Sequence, residues 1–131
     1  MAKRQNQEFH NQVCQFVAKE RFPFPSAGHP NWKTYVNEPE TQICFKDGKF
    51  CPDIVVLNEN NSARLLGEIE TDDTVNSESV NQWKDYSEIA PLYLYVPVGF
   101  GNQARELAGS IKISGFREYK VAEGEIRIFN V

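Results

Sequence analysis

The chain has 131 residues, 40% of them hydrophobic and 24% charged, with a formal net charge of −4 and a pI near 5.2. This composition excludes a disordered chain, its length fits one domain around one layered core, and no apolar run approaches the ~20 residues that cross a bilayer. The acidic balance weighs against tight non-specific binding to nucleic acid, which relies on Lys and Arg displacing counterions from phosphates, although a cluster of acids holding a divalent ion lowers the total by itself.

Met1-Ala2-Lys3-Arg4 has no apolar stretch behind it. A secretory signal is therefore not expected, and the default location is cytoplasmic. From about Gln5 to Arg21, Phe9, Val13, Phe16 and Val17 recur at helical spacing and predict an amphipathic helix. The Pro-rich stretch from Phe22 to Pro30 ends it. Extended segments are expected around Lys33 to Val36 and Thr41 to Phe45. Asp47-Gly48 is a two-residue hairpin signal, and Phe50 to Leu57, with Ile54, Val55 and Val56 in succession, suits a strand buried on both faces.

Asn58 to Ser62 is a polar loop, and Arg64 to Thr71 reads as the next strand. Asn76-Ser77 offers an N-cap for a helix from about Glu78 to Ala90, stopped by Pro91. Leu92 to Val98 is an apolar strand, and a further helix from about Asn102 to Ile113 follows Gly99 to Gly101. Two short strands, Arg117 to Val121 and Glu125 to Phe129, close the chain across Glu123-Gly124. The order implies a single α/β domain with a mixed β-sheet flanked by helices in three layers.

The three cysteines are Cys14, Cys44 and Cys51. Around Asp47-Gly48 the segment from Cys44 to Cys51 has mirror symmetry, so Lys46 faces Lys49, Phe45 faces Phe50 and Cys44 faces Cys51. The two sulfurs can meet, but an odd count and a cytosolic default favour reduced thiols packed as small apolar groups. His10 and His29 lack zinc-ligand spacing, so no zinc site is expected.

Asp53 stands beside Pro52 at the start of the most apolar run, where an isolated charge would be expensive to desolvate. Glu68 and Glu70 point to one face of their strand by alternation. If the two strands pair across a loop centred near Ser62 or Asn61, Asp53 falls opposite or diagonal to both. Three carboxylates would then converge, and a hard divalent cation with oxygen ligands relieves their repulsion.

Pro52-Asp53, then Glu68-Ile69-Glu70 after an apolar lead-in, resembles the PD-(D/E)XK signature of the restriction-endonuclease-like nucleases. The superfamily's αβββαβ core is similar to the order read above over roughly residues 5 to 98. Gln82-Trp83-Lys84-Asp85-Tyr86 is similar to the Gln-x-x-x-Tyr element of RecB-like nucleases, and Gln82 and Tyr86 share a helical face. The resemblance implies a divalent-metal-dependent nuclease acting on DNA or RNA, DNA favoured. Asp53 and Glu68 would hold Mg²⁺ or Mn²⁺, Gln82 and Tyr86 would steady the substrate, and Glu8 would match an acid that many members carry on the first helix. A solvated helix position is the plainer account of Glu8.

Glu70 departs from the pattern, which has lysine there. Three readings stand open: Glu70 is a ligand or the base, Lys84 supplies the displaced positive charge, or catalysis is lost and a binding or interaction module remains. A chain this short leaves sequence specificity to loops, to a homodimer or to a larger complex. No membrane partner is expected.

Overall fold

A computed structural model describes residues 6–130. The first helix, α1 (Gln7–Arg21), is capped by Asn6, whose side chain accepts from the Phe9 amide. Gln5, where the helix was expected to begin, lies outside the described residues. Three strands follow, β1 (Lys33–Val36), β2 (Ile54–Leu57) and β3 (Ala63–Ile69), then α2 (Ser77–Ser87), β4 (Leu92–Pro97), α3 (Gly101–Ala108), β5 (Gly115–Ala122) and β6 (Glu125–Asn130). The strands form one six-stranded sheet in sequence order. β1, β2 and β3 pair antiparallel, β4 lies parallel to both β3 and β5, and β6 closes an antiparallel hairpin with β5.

Alternation along the strands divides the core in two. Val55, Leu57, Leu66, Leu92, Leu94 and Val96 pack with Trp83 and Tyr86 of α2 and with Ala104 and Ala108 of α3. Ile54, Val56, Ile69, Tyr95 and Tyr119 pack with Val13 and Val17 of α1 on the opposite face. Helices thus cover both faces of a mixed sheet, which is the α/β arrangement the sequence implied. Among the described residues, no helix is long and apolar enough to cross a membrane.

Two expectations are corrected. Residues 41–45 and 50–53 form no extended strands; a single bridge joins Phe45 to Phe50. Buried Asn37 organises this region instead. Its amide donates to the carbonyls of Ile43 and Pro52, and its oxygen accepts from the amides of Gln42 and Ile43. One side chain thereby satisfies backbone groups that a strand ladder would otherwise satisfy.

The second correction concerns the thiols. Cys44 and Cys51 form a disulfide across the hairpin, their Cα atoms 4.4 Å apart. Asp47 and Gly48 adopt φ of 57° and 85°, as a tight two-residue turn requires, and the mirror register brings the two cysteines face to face. The third helix is also shorter than expected, ending where Gly109 takes a φ of 56°.

Gly67 of β3 lies in close approach to buried neighbours. A Cβ there would stand 3.2 Å from Ile54 Cβ and 3.3 Å from Phe22 Cε2, both on buried side chains. Gly67→Ala is therefore expected to lower stability by about 1–3 kcal/mol through overpacking. Urea unfolding of the variant beside the parent protein measures this; an unchanged midpoint would show that the core yields there.

Candidate functional site

The antiparallel register pairs Ile54 with Gly67, one step from Asp53 and Glu68. The loop midpoint falls between Asn60 and Asn61, slightly ahead of the expected centre, and Asp53 faces Glu68. The pair is braced reciprocally. The Asp53 amide donates to Glu68 Oε1 at 3.0 Å, and the Ile69 amide donates to Asp53 Oδ2 at 2.8 Å. Both residues are nearly closed to solvent, at 4% and 2% exposure.

His10 reaches the same carboxylate from α1. Its Nε2 lies 3.1 Å from Asp53 Oδ2 and 2.9 Å from the Ile69 carbonyl oxygen, while Nδ1 lies 3.1 Å from the Gln7 amide nitrogen. Two acceptors at Nε2 place the ring proton there, and Nδ1 accepts from Gln7. Cys14 Sγ stands 3.5 Å from Nε2 and 3.8 Å from Nδ1, so it packs against the ring instead of extending one nitrogen's lone-pair direction. His10, Cys14 and Asp53 bring potential ligand atoms within 4.8 Å of one another. With its proton donated at Nε2, however, His10 serves as a hydrogen-bonding strut and offers no lone pair there to a metal.

A cleft of about 250 Å³ opens on the α2 side, lined by Asp53, Glu68, Gln82, Tyr86, Glu38, Lys49 and Cys51. Gln82 Nε2 donates to the Tyr86 hydroxyl oxygen at 2.8 Å. Burial raises the Tyr86 pKa well above the ordinary phenol range, and the negative charges of Glu68 and Asp53 push it the same way, against the Gln82 hydrogen bond and the Cys51 backbone. The hydroxyl therefore keeps its proton at neutral pH.

Of the residues singled out from sequence, Asp53, Glu68, Gln82 and Tyr86 meet in this cleft. Glu70 does not line it. At 1% exposure, its Oε2 accepts from the Trp83 indole N–H at 2.7 Å, and its backbone bonds to Tyr95 and Tyr119. Lys84 is exposed in the last turn of α2, and Glu8 is exposed in the first turn of α1; neither borders the cleft.

Glu38 and Lys49 do border it, and sequence reasoning passed over both. Val36 pairs with Ile54, which brings the residues following β1 alongside Asp53. The returning leg of the Cys44–Cys51 hairpin ends just before Pro52-Asp53, which places Lys49 at the rim. That adjacency to Asp53 was the available signal. No protein-family model, curated protein or solved structure matches the chain.

Two tests follow from this geometry. Trp83→Phe removes the indole donor and leaves the buried Glu70 carboxylate short of one hydrogen bond, so unfolding free energy should fall by about 1–3 kcal/mol. Denaturant unfolding reads the loss, and a neutral result would deny the bond its structural part. Because the folded-state pKa of Tyr86 is raised, its contribution to stability is complete below the ordinary phenol pKa of about 10 and is lost as pH climbs through the higher folded value. Ultraviolet titration should show late-ionising phenols from Tyr86 and Tyr95; one of the two should be lost in Tyr86→Phe and ionise earlier in Glu68→Gln.

Proposed function

We propose that this chain is a divalent-metal-dependent nuclease of the restriction-endonuclease-like type, hydrolysing phosphodiester bonds in nucleic acid, with DNA the favoured substrate. The observation that carries the reading is the pairing of Asp53 with Glu68 at the floor of one cleft, flanked by Gln82 and Tyr86. The αβββαβ run from α1 to β4 supports the same fold type.

The donor set fits Mg²⁺ or Mn²⁺. Carboxylate oxygens suit hard divalent ions, and Asp53 and Glu68 bring two of these groups to one cleft. Asp53 and Glu68 would hold the ion, with Glu38 a further acid lining the cleft. When bound, the ion supplies Lewis-acid polarisation of the scissile phosphate and a nucleophile at neutral pH.

The remaining chemistry belongs to the chain. Lys49 brings an ammonium to the rim, where it neutralises charge developing on the phosphate oxygens; it takes the part that the resemblance assigned to a lysine at position 70 or to Lys84. Tyr86 Oη retains its proton and donates to a phosphate oxygen, oriented by Gln82. Glu70 supports α2 through Trp83 and stays out of the reaction. That engagement of Glu70 also favours a second reading, a nuclease-fold binding module without catalysis.

Calorimetric titration with Mn²⁺ should give binding to the parent protein that is lost in Asp53→Asn and Glu68→Gln. No binding to the parent protein would refute the metal site. Single-stranded and duplex DNA incubated with Mg²⁺ or Mn²⁺ should be cut, and Lys49→Ala should slow cutting by about 10²–10³-fold. Cleavage persisting in Glu68→Gln would be a contaminant's, whereas metal binding without cleavage selects the binding module.

A further inference from the structure

On the face of the sheet covered by α1, a second hollow of about 190 Å³ is lined by Arg21, Phe22, Leu65, Tyr93, Tyr95 and Arg117. No carboxylate is among these residues. Arg21 closes the last turn of α1 and donates to the Asn130 side-chain oxygen at 3.2 Å. Arg117 donates to the Phe116 carbonyl at 3.0 Å and lies over the Tyr93 ring, 5.6 Å from its centroid. Among the described residues, neither guanidinium meets a carboxylate. In a chain of net charge −4, two arginines left uncompensated around one hollow are conspicuous.

The hollow is sterically prepared for this arrangement. A Cβ at Gly115 would come 2.7 Å from the Arg117 Nη1 and 2.8 Å from Tyr93 Cδ2, so glycine there leaves room for the stacked pair. Phe22 packs edge-on against Tyr93 and Tyr95, with ring centroids 6.3 and 6.2 Å away. Burial lifts the Tyr95 pKa to about 12, against the lowering influence of the Arg21 and Arg117 charges. The phenol therefore remains a hydrogen-bond donor at neutral pH.

We propose that this hollow binds a phosphate monoester. Two positive charges call for a dianion, and a monoester carries about −1.5 to −2 at neutral pH, whereas a carboxylate or a backbone diester carries one charge. Two guanidinium forks and the tyrosine hydroxyls match its several oxygens, and Phe22, Leu65 and the Tyr93 ring offer apolar surface to the esterified group. The monoester can belong to a free nucleotide or to the 5′ end of a nucleic-acid strand. Glu68 points away from this face and the site needs no divalent ion, so the inference stands apart from the nuclease reading.

The test uses thymidine 5′-monophosphate, a short 5′-phosphorylated single strand and its 5′-hydroxyl counterpart. All are titrated at low salt in EDTA into the full chain carrying Glu68→Gln, which disables the acidic cleft. The two monoesters should bind, the 5′-hydroxyl strand should bind at least about tenfold more weakly, and the tighter of the two monoesters identifies the source. Arg21→Gln, at an exposed helix end, should weaken monoester binding by about tenfold or more, the loss expected for a charge-assisted hydrogen bond. Gly115→Ala should do the same by displacing Arg117 while both charges remain. Absence of monoester binding, equal binding of the 5′-hydroxyl strand, or affinity unchanged in Arg21→Gln would each overturn the proposal.

Discussion

The reciprocal bond between Asp53 and Glu68 is the constraint from which the rest of the cleft follows. Two carboxylates placed side by side in the interior repel each other, and each loses hydration as the strands close. The arrangement answers both costs with backbone donors: each acid accepts from an amide of the opposing strand segment, and His10 adds a second donor to Asp53. Charge-assisted bonds of this kind are stronger than neutral ones and leave little freedom of orientation. They set where Pro52 lies, and Pro52 receives the Asn37 amide that also gathers the loop at Ile43. The position of the hairpin carrying Lys49 therefore descends from the same brace.

The sheet also separates charge by face. Glu68 and Glu70 point toward α2, whereas Tyr93, Tyr95 and Arg117 gather with the end of α1 on the other side. A formal net charge of −4 averages an acidic cleft and a carboxylate-free hollow with two arginines into one figure. This is why the total is a poor guide to what the molecule can bind. Potential at a site depends on the charges that face it, and more distant ones are screened within about 10 Å at ordinary salt.

Much of the scaffold was legible because its signals are local and periodic. Lys33–Val36 was anticipated as written, and both later helices began within a residue of the expected position. Asp53 and Glu68 were legible for a different reason: an acid amid Ile54, Val55 and Val56 demands a partner. Gln82 and Tyr86 were singled out by the resemblance to the Gln-x-x-x-Tyr element, and their spacing of four put them on one helical face. What escaped depends on tertiary closure. The segment from Thr41 to Phe45 has strand-like composition, yet the Asn37 side chain takes its backbone groups and no ladder forms. His10 gave no spacing signal, since its partner is 43 residues away. Glu70 looked equivalent to Glu68 by alternation, yet it turns to the Trp83 indole on α2 while Glu68 lines the cleft.

That distinction leaves Lys49 as the cation among the residues lining the cleft. A lysine on β3 would be held by the sheet as rigidly as Glu68. Lys49 instead sits on a turn, exposed, in a hairpin closed by one bridge between Phe45 and Phe50 and by the Cys44–Cys51 disulfide. The anionic half of the cleft is thus built on core strands, and the cationic half rests on a loop held at its base. Loops open at lower free energy than core strands, so the two halves need not be equally persistent. The covalent closure at Cys44 and Cys51 limits that difference, because it holds both legs of the hairpin together two residues before Asp53. The arrangement therefore joins a rigid pair of acids to an adjustable cation.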